Sequence, residues 1–310
     1  MSASVSYQAC SVKRRRSTKD EMAALYAALN SIVDSRPSDV WGCRQIYYQT
    51  VVRGLVEKSD KNANRIGAAL IHMRDNGLLD PDRIEDESRE ILDGRDGFGV
   101  EDIVDVIPAS LESNFWRDRD VHLQIWLEKR GLSEQARRVT SAYHVPLIPA
   151  GGFASISIVR RAARLLLDSD KPRAVIMHLS DFDGSGKIAA DAIERRLRDA
   201  APGVRIDYER IGLSLAQIRR FGLVTQDFAR DPSNQHTRDW PHKFTAQLDA
   251  LLPEQLRAII EENINRYMTA GERDEIVAVQ EVTRDRLVRM LQSDEFQALR
   301  QIFRVDEEAR

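Results

Sequence analysis

Apolar residues recur at helical spacing in the N-terminal part of the chain, beginning after Thr18. Met22, Leu25, Leu29 and Val33 stand three or four positions apart, which predicts a first amphipathic helix. The segments "RQIYYQTVVRGL" and "NANRIGAALIHMRDNG" show the same periodicity and predict a second and a third helix. Three helices followed by a short extended segment are typical of a winged-helix or helix-turn-helix unit, which we assign to residues 18–90. Units of this class bind nucleic acids or other proteins.

The periodicity changes beyond residue 120, where short strand-like runs alternate with helical stretches. The strand-like runs are residues 122–129, 145–150, 174–180 and 204–211. Alternating strands and helices imply crossover connections, so the sequence predicts an α/β domain over residues 121–265, with a parallel sheet flanked by helices. Helical patterns continue to the end of the chain and predict C-terminal helices over residues 266–310.

Three other segments lack a clear period. Residues 91–120 are rich in Gly, Asp and Ser and are predicted to connect the two domains, and residues 222–243 are predicted to form a long polar loop. Residues 1–17 are predicted to be a flexible basic tail. Its run of Lys13, Arg14, Arg15 and Arg16 can contact phosphates, although a solvated tail has the same composition.

Composition restricts the classes of function. The net charge of −3 gives no global attraction to nucleic acid, so any such contact must come from local basic patches. Two cysteines are too few for a disulfide framework or a cysteine zinc site and suit a reducing compartment. No apolar segment approaches the ~20 residues that cross a bilayer, so we expect a cytoplasmic protein without a membrane partner.

Acidic residues are concentrated where a predicted strand turns into a helix, in "HLSDFDGSG". Asp181 and Asp183 are two positions apart, and Glu128 ends an earlier strand-like run. Ligands of parallel α/β sheets bind at the carboxyl ends of the strands, and a set of carboxylates there is the environment that Mg²⁺ prefers. The sequence therefore predicts a metal site formed by Glu128, Asp181 and Asp183, with one or two Mg²⁺ ions. The alternative is that the aspartates are a helix N-cap and a turn residue, two positions that Asp favours.

A phosphate-binding loop of the nucleotide-hydrolysing type is not predicted. The segment "GSGK" at residues 184–187 is followed by Ile188, where that pattern needs Ser or Thr. We therefore expect no nucleotide to bind to this chain.

The segments "WLEK", "VPLIPAGGFASISIV" and "HLSDFDGSG" together resemble the toprim domain. The chain is similar to the A subunit of topoisomerase VI, the meiotic double-strand-break transesterase, and small bacterial, phage and plasmid homologues without an ATPase partner. The resemblance implies that Glu128, Asp181 and Asp183 take the toprim metal roles. Lys129 and Asp249 are assigned possible supporting roles behind these ligands. In "QLDAL", Gln247 stands where the small homologues have an acidic residue.

A tyrosine pair in "CRQIYYQ" resembles the family's R-D-I-Y-Y motif, in which a tyrosine on the winged-helix domain cuts DNA. The resemblance gives Arg44 the motif's arginine position and Tyr48 the nucleophile position, with Gln45 in place of the motif's Asp. Helical spacing places Arg44 and Tyr48 on one face, where we expect an exposed phenol, and Tyr47 on the core stripe. The alternative is that both aromatic rings belong to the core.

The implied function is Mg²⁺-dependent cleavage of double-stranded DNA by tyrosine transesterification, through a phosphotyrosyl intermediate. In the relatives, the tyrosine of one protomer meets the metal site of the other, so a homodimer is implied, with or without a separate ATPase subunit. On the third helix, Arg65, His72 and Arg74 are candidate DNA contacts, diluted by nearby acidic residues. Two alternatives remain: a toprim nuclease that uses metal-bound water, and a DNA-binding or scaffold protein without catalysis.

Overall fold

The computed structural model describes residues 18–85, 114–152, 154–228 and 239–296. The basic run Lys13, Arg14, Arg15 and Arg16, and most of the predicted connector 91–120, lie outside these residues. The division into a winged-helix domain, a connector, a toprim domain and C-terminal helices remains a prediction.

Three helices form the N-terminal part of the structure: α1 (Lys19–Asp34), α2 (Cys43–Val52) and α3 (Asp60–Asp75). Thr18 begins α1 with a reciprocal cap, because its hydroxyl accepts from Glu21 N while the Glu21 carboxylate accepts from Thr18 N. A short strand before α2, β1 (Trp41–Gly42), pairs in parallel with β2 (Ile84–Glu85). The three predicted helices are therefore present, and their predicted apolar stripes form one core cluster.

A four-stranded sheet organises the rest of the chain. Its strands are β3 (Val121–Leu127), β4 (Leu147–Pro149), β5 (Arg173–Leu179) and β6 (Arg205–Gly212), in the spatial order β4-β3-β5-β6. All neighbouring pairs in this sheet are parallel. The connecting helices are α4 (Ser133–Ala142), α5 (Ile156–Asp168) and α6 (Gly184–Ala200). The predicted parallel sheet flanked by helices is confirmed.

Both faces of the sheet are buried, as expected for parallel strands. Leu123, Ile125 and Leu127 of β3 pack into one apolar cluster with Ala136 of α4. Trp126 points to the opposite face, into a second cluster that includes side chains of α5 and α6. Burial on both faces leaves the carboxyl edge of the sheet as the place where polar side chains collect.

The C-terminal part of the chain continues with α7 (Leu215–Phe221), β7 (Thr225–Asp227), β8 (Phe244–Ala246), α8 (Pro253–Ile264) and α9 (Ala270–Leu291). The prediction of loop throughout residues 222–243 is wrong at β7, which pairs with β8 in an antiparallel ladder. Three paired residues are too short to produce a detectable period in the sequence. None of the helices in the described ranges has the length and apolarity needed to cross a membrane.

Buried polar contacts join the N-terminal helices to the sheet domain. Asp39, only 6% exposed, accepts two hydrogen bonds from Arg257 of α8, at 2.8 and 3.2 Å, and pairs with Arg138 of α4 at 3.4 Å. At the start of α2, a Cβ added to Gly42 would lie 2.6 Å from the carbonyl oxygen of Gly131. Only glycine allows this approach, which places α2 against the carboxyl edge of the sheet.

Candidate functional site

Glu128 and Asp181 meet at the carboxyl edge of the sheet. Glu128 directly follows β3 and Asp181 lies two residues beyond β5, and these two strands are neighbours. The backbone N–H of Asp181 donates to Glu128 Oε2 at 3.0 Å. The structure thus brings together two of the acidic residues that the sequence analysis singled out.

Asp183 stands at the N-terminus of α6, where its Oδ1 accepts from Gly186 N at 2.7 Å. A Cβ at Gly186 would lie 2.7 Å from the carbonyl oxygen of Asp181, so glycine is needed for the helix to begin so close to the strand end. The alternative role considered for these aspartates, a helix N-cap, is the one that Asp183 has here.

An ammonium group lies among the carboxylates. Lys129 Nζ is 2.7 Å from Asp181 Oδ2, 3.9 Å from Asp249 Oδ2 and 4.0 Å from Glu128 Oε1. The other oxygen of Asp181, Oδ1, accepts from Leu248 N at 2.8 Å. Lys129 and Asp249, which were assigned possible supporting roles, are therefore in contact with the cluster, and both oxygens of Asp181 are engaged.

Burial and mutual repulsion shape the titration of this cluster. Burial first, and then the charge of Asp181, raise the pKa of Glu128. Burial also raises the pKa of Asp183, again with a contribution from Asp181. Burial acts to lower the pKa of Lys129, but Asp181 and Asp249 outweigh it and raise that pKa. The cluster therefore keeps Lys129 charged.

A divalent cation does not fit the side chains as they are arranged. Asp181 has no oxygen left without a partner, and Asp183 and Glu128 each use one oxygen on a backbone N–H. In the ranges that the structure describes, no three acidic, histidine or cysteine side chains are placed to hold a metal ion. Mg²⁺ at this cluster would have to share Asp181 with Lys129 or displace it.

Tyr48 and Arg44 of α2 share one acceptor. Tyr48 Oη donates to Gln247 Oε1 at 2.5 Å, and Arg44 Nη2 donates to the same oxygen at 3.0 Å. Arg44 Nε also lies 3.5 Å from Asp249 Oδ2, which in turn is near Lys129. The tyrosine and the acidic cluster are therefore linked within one chain, whereas the resemblance implied that they come from different protomers.

The expectation of an exposed phenol is wrong. Tyr48 is 1% exposed, because the segment that carries Gln247 and Asp249 packs against α2. Burial raises the pKa of Tyr48 well above its ordinary value, while Arg44 acts in the opposite direction. Tyr47, predicted to lie in the core, is 5% exposed, and its Oη donates to Ser59 O and accepts from Ser59 N.

A cavity of about 330 Å³ opens beside the tyrosine. Its lining includes Arg44, Tyr48, Lys58 and Gln247. Lys58 was not predicted as a site residue, because it stands in the turn between α2 and α3 and belongs to no periodic pattern or motif. Gln247 was expected only to replace an acidic residue.

Gln45 occupies the position where the motif has Asp, and its side chain is fully buried. Its Oε1 accepts from Gly42 N at 3.0 Å, and its Nε2 donates to Leu251 O at 3.2 Å. An aspartate has no donor for the second bond. Gln45 therefore links the start of α2 to the segment that carries Gln247 through two side-chain hydrogen bonds.

The candidate DNA contacts of α3 do not share a face. Arg65 and Arg74 are nine positions apart, which corresponds to about 180° around a helix. Arg65 is exposed and Arg74 is half-buried. Arg65, with the exposed His72 seven positions later, therefore defines the more accessible face of this helix.

Comparison with known proteins finds no matching family model, no matching curated protein and no matching solved structure.

Proposed function

We propose that this protein cleaves DNA strands by transesterification, with Tyr48 as the nucleophile. The observation that carries the proposal is the pairing of Tyr48 Oη and Arg44 on Gln247 Oε1 at the wall of a cavity. The phenol can attack the phosphorus of a phosphate diester, and the guanidinium can hold that phosphate. The cavity offers space for the diester. The resemblance of the surrounding motifs to the toprim and winged-helix domains of DNA-cleaving proteins supports the same function, with double-stranded DNA as substrate.

The reaction exchanges one phosphate ester for another. Tyr48 Oη forms a bond to a backbone phosphorus, and the bond from that phosphorus to one bridging oxygen breaks. The phenol loses its proton, and the departing oxygen gains one and becomes a hydroxyl. No water or redox partner is consumed, so the reverse step reseals the strand.

Gln247 and Arg44 each have a part in this step. Gln247 Oε1 accepts a hydrogen bond from Tyr48 Oη, which fixes the direction of the Oη lone pairs. Arg44 favours the phenolate and attracts the phosphate, and its contact with Asp249 holds its position. No step is assigned to a metal ion, because the acidic cluster is satisfied by Lys129. The proposed active unit is a homodimer whose two tyrosines cut opposite strands.

A covalent-adduct assay tests the proposal. End-labelled duplex DNA is incubated with protein in buffer with Mg²⁺, with Mn²⁺ or with a chelator, and the mixture is quenched in denaturant. We expect a protein–DNA adduct in the wild type and none in Tyr48→Phe. Tyr47→Phe is the matched control, since it removes the neighbouring hydroxyl, and it should retain the adduct.

Other outcomes would replace the proposal. Free DNA ends that persist in Tyr48→Phe would indicate a nuclease that uses water. Binding without breaks under every condition would indicate a non-catalytic DNA-binding protein. A double-mutant cycle of Tyr48→Phe, Gln247→Leu and their combination measures the contact between Tyr48 and Gln247. From unfolding experiments we expect a coupling free energy of about 1 kcal/mol.

A further inference from the structure

Lys58 carries a buried ammonium group without a hydrogen-bond acceptor. Its Nζ is enclosed and has no hydrogen-bond partner in the structure. It lies 5.0 Å from the centroid of the Tyr48 ring, over the ring face, and it lines the same cavity as Arg44. An ammonium group removed from water without an acceptor is costly, so its presence beside an open cavity requires an explanation.

The charges around the cavity leave room for an anion. Burial lowers the pKa of Lys58 and Arg44 adds to that effect, while the charge of Asp181 opposes it. Asp60 also lines the cavity, but it is an exposed residue at the first position of α3. Asp249 is committed to Arg44 and Lys129. Lys58 and Arg44 therefore repel each other across the cavity. Among the residues that the structure describes, no carboxylate accepts a hydrogen bond from Lys58.

We propose that Lys58 and Arg44 form a subsite for one phosphate diester of a nucleic-acid backbone, which they hold beside Tyr48 Oη. The subsite rests on the proposed function for the identity of its ligand, and it adds a positioning residue to the tyrosine and the arginine. Lys58 supplies a point charge and up to three donors, and Arg44 supplies a planar donor pair. Lys58 would gain charge-assisted hydrogen bonds that it lacks in the free protein, and Arg44 would add one to its contacts with Gln247 and Asp249.

The dimensions agree with a phosphate diester. A cavity of about 330 Å³ is at the lower end of the volumes typical of small-molecule sites. This volume is large enough for a phosphate with the first atoms of its two ester arms. The cation over the face of Tyr48 also places the phosphate near the phenol rather than near the exposed rim.

Binding of dimethyl phosphate tests the subsite without requiring cleavage. The probe is titrated into the protein labelled with ¹³C at tyrosine Cζ, and the Tyr48 signal is assigned from its loss in Tyr48→Phe. We expect a saturable shift of this signal in the wild type and at least tenfold weaker binding in Lys58→Met. Lys61→Met removes an exposed charge three residues away and is the matched control, with unchanged binding expected. Lys58→Arg should retain most of the affinity.

A second measurement uses short duplex DNA. The slope of log K against log salt should become shallower by about one phosphate contact in Lys58→Met and not in Tyr47→Phe. Thermal unfolding of each variant verifies that it is folded. If Lys58→Met does not fold, Lys58→Gln takes its place in both experiments.

The outcomes separate the subsite from the proposed function. Dimethyl phosphate binding that depends on Lys58, in a protein that forms no DNA adduct, would retain the subsite and remove the tyrosine chemistry. Adduct formation in Lys58→Met at the wild-type rate, with unchanged dimethyl phosphate binding, would overturn the subsite and leave the proposed function. Absence of any dimethyl phosphate shift in the wild type would also overturn the subsite.

Discussion

Lys129 Nζ lies 2.7 Å from Asp181 Oδ2, so a lysine of the protein itself neutralises the acidic cluster at the carboxyl edge of the sheet. The residue next to Glu128 in sequence reaches across to the neighbouring strand end. This contact determines what the cluster can bind, because a cation from solution must compete with Lys129 for the same oxygen.

Substitution of Lys129 by Met should therefore increase the response to divalent cations. Without the ammonium group, Asp181, Asp249 and Glu128 lose their shared counter-charge in a buried setting, and we expect about 3 kcal/mol lower stability at neutral pH. Mn²⁺ should raise the melting temperature of Lys129→Met more than that of the wild type. Lys129→Arg keeps the charge and should resemble the wild type. Equal shifts with Mn²⁺ in all three proteins would show that Lys129 does not compete with the ion.

Introducing at position 45 the aspartate of the motif that this segment resembles should lower the stability of the protein. Gln45→Asp loses the donor to Leu251 O and directs a carboxylate towards that carbonyl group, so we expect a loss of about 1–3 kcal/mol in unfolding free energy. Gln45→Glu keeps the side-chain length and removes the donor, which separates the two effects. Denaturant unfolding of the three proteins gives the measurement, and a more stable Gln45→Asp would show that the bond to Leu251 is not important.

The contact between Asp39 and Arg257 should stabilise the junction of the two parts of the chain. Asp39→Asn removes the charge that two arginines share, and we expect a loss of about 1.5–3 kcal/mol. Asp34→Asn is the matched control, because the Asp34 side chain is 72% exposed and lies 4.0 Å from Arg83. Its effect should stay within about 0.5 kcal/mol. Equal losses in both variants would contradict the importance of the Asp39 contact.

His178 should make the protein less stable as the pH falls. Burial first, and then Arg210, lower the pKa of this fully buried residue from 6.5 to about 3. The unfolded chain therefore binds a proton at pH values where the folded protein does not. Its contribution to stability is complete above pH 6.5 and is lost as the pH falls from 6.5 towards 3.

Comparison with His178→Leu isolates this effect. Neither ring nitrogen of His178 has a hydrogen-bond partner in the structure, so the substitution removes the titration without breaking a hydrogen bond. Between pH 7.5 and pH 5 the wild type should lose about 2 kcal/mol more than the variant. Parallel stability curves for the two proteins would contradict the neutral state of His178.

The order of the elements could be predicted from the sequence because it depends on local periodicity. The spacing of Met22, Leu25, Leu29 and Val33 gave α1, and the runs around Ile125 and Met177 gave two neighbouring strands. Alternation of strands and helices then implied parallel pairing, and with it the meeting of Glu128 and Asp181 at one edge. The three-residue strand β7 was missed, since its pairing with β8 is a contact between separate segments and leaves no periodic signal.

The local sequence determined which polar groups this chain brings to the carboxyl edge of its sheet, because strand ends and helix starts follow from patterns of a few residues. Only the tertiary structure decided how those groups are paired. Lys129 on Asp181, Gln247 on Tyr48 and the unpartnered Lys58 depend on packing between residues far apart in the chain, and their charges interact according to distance and burial.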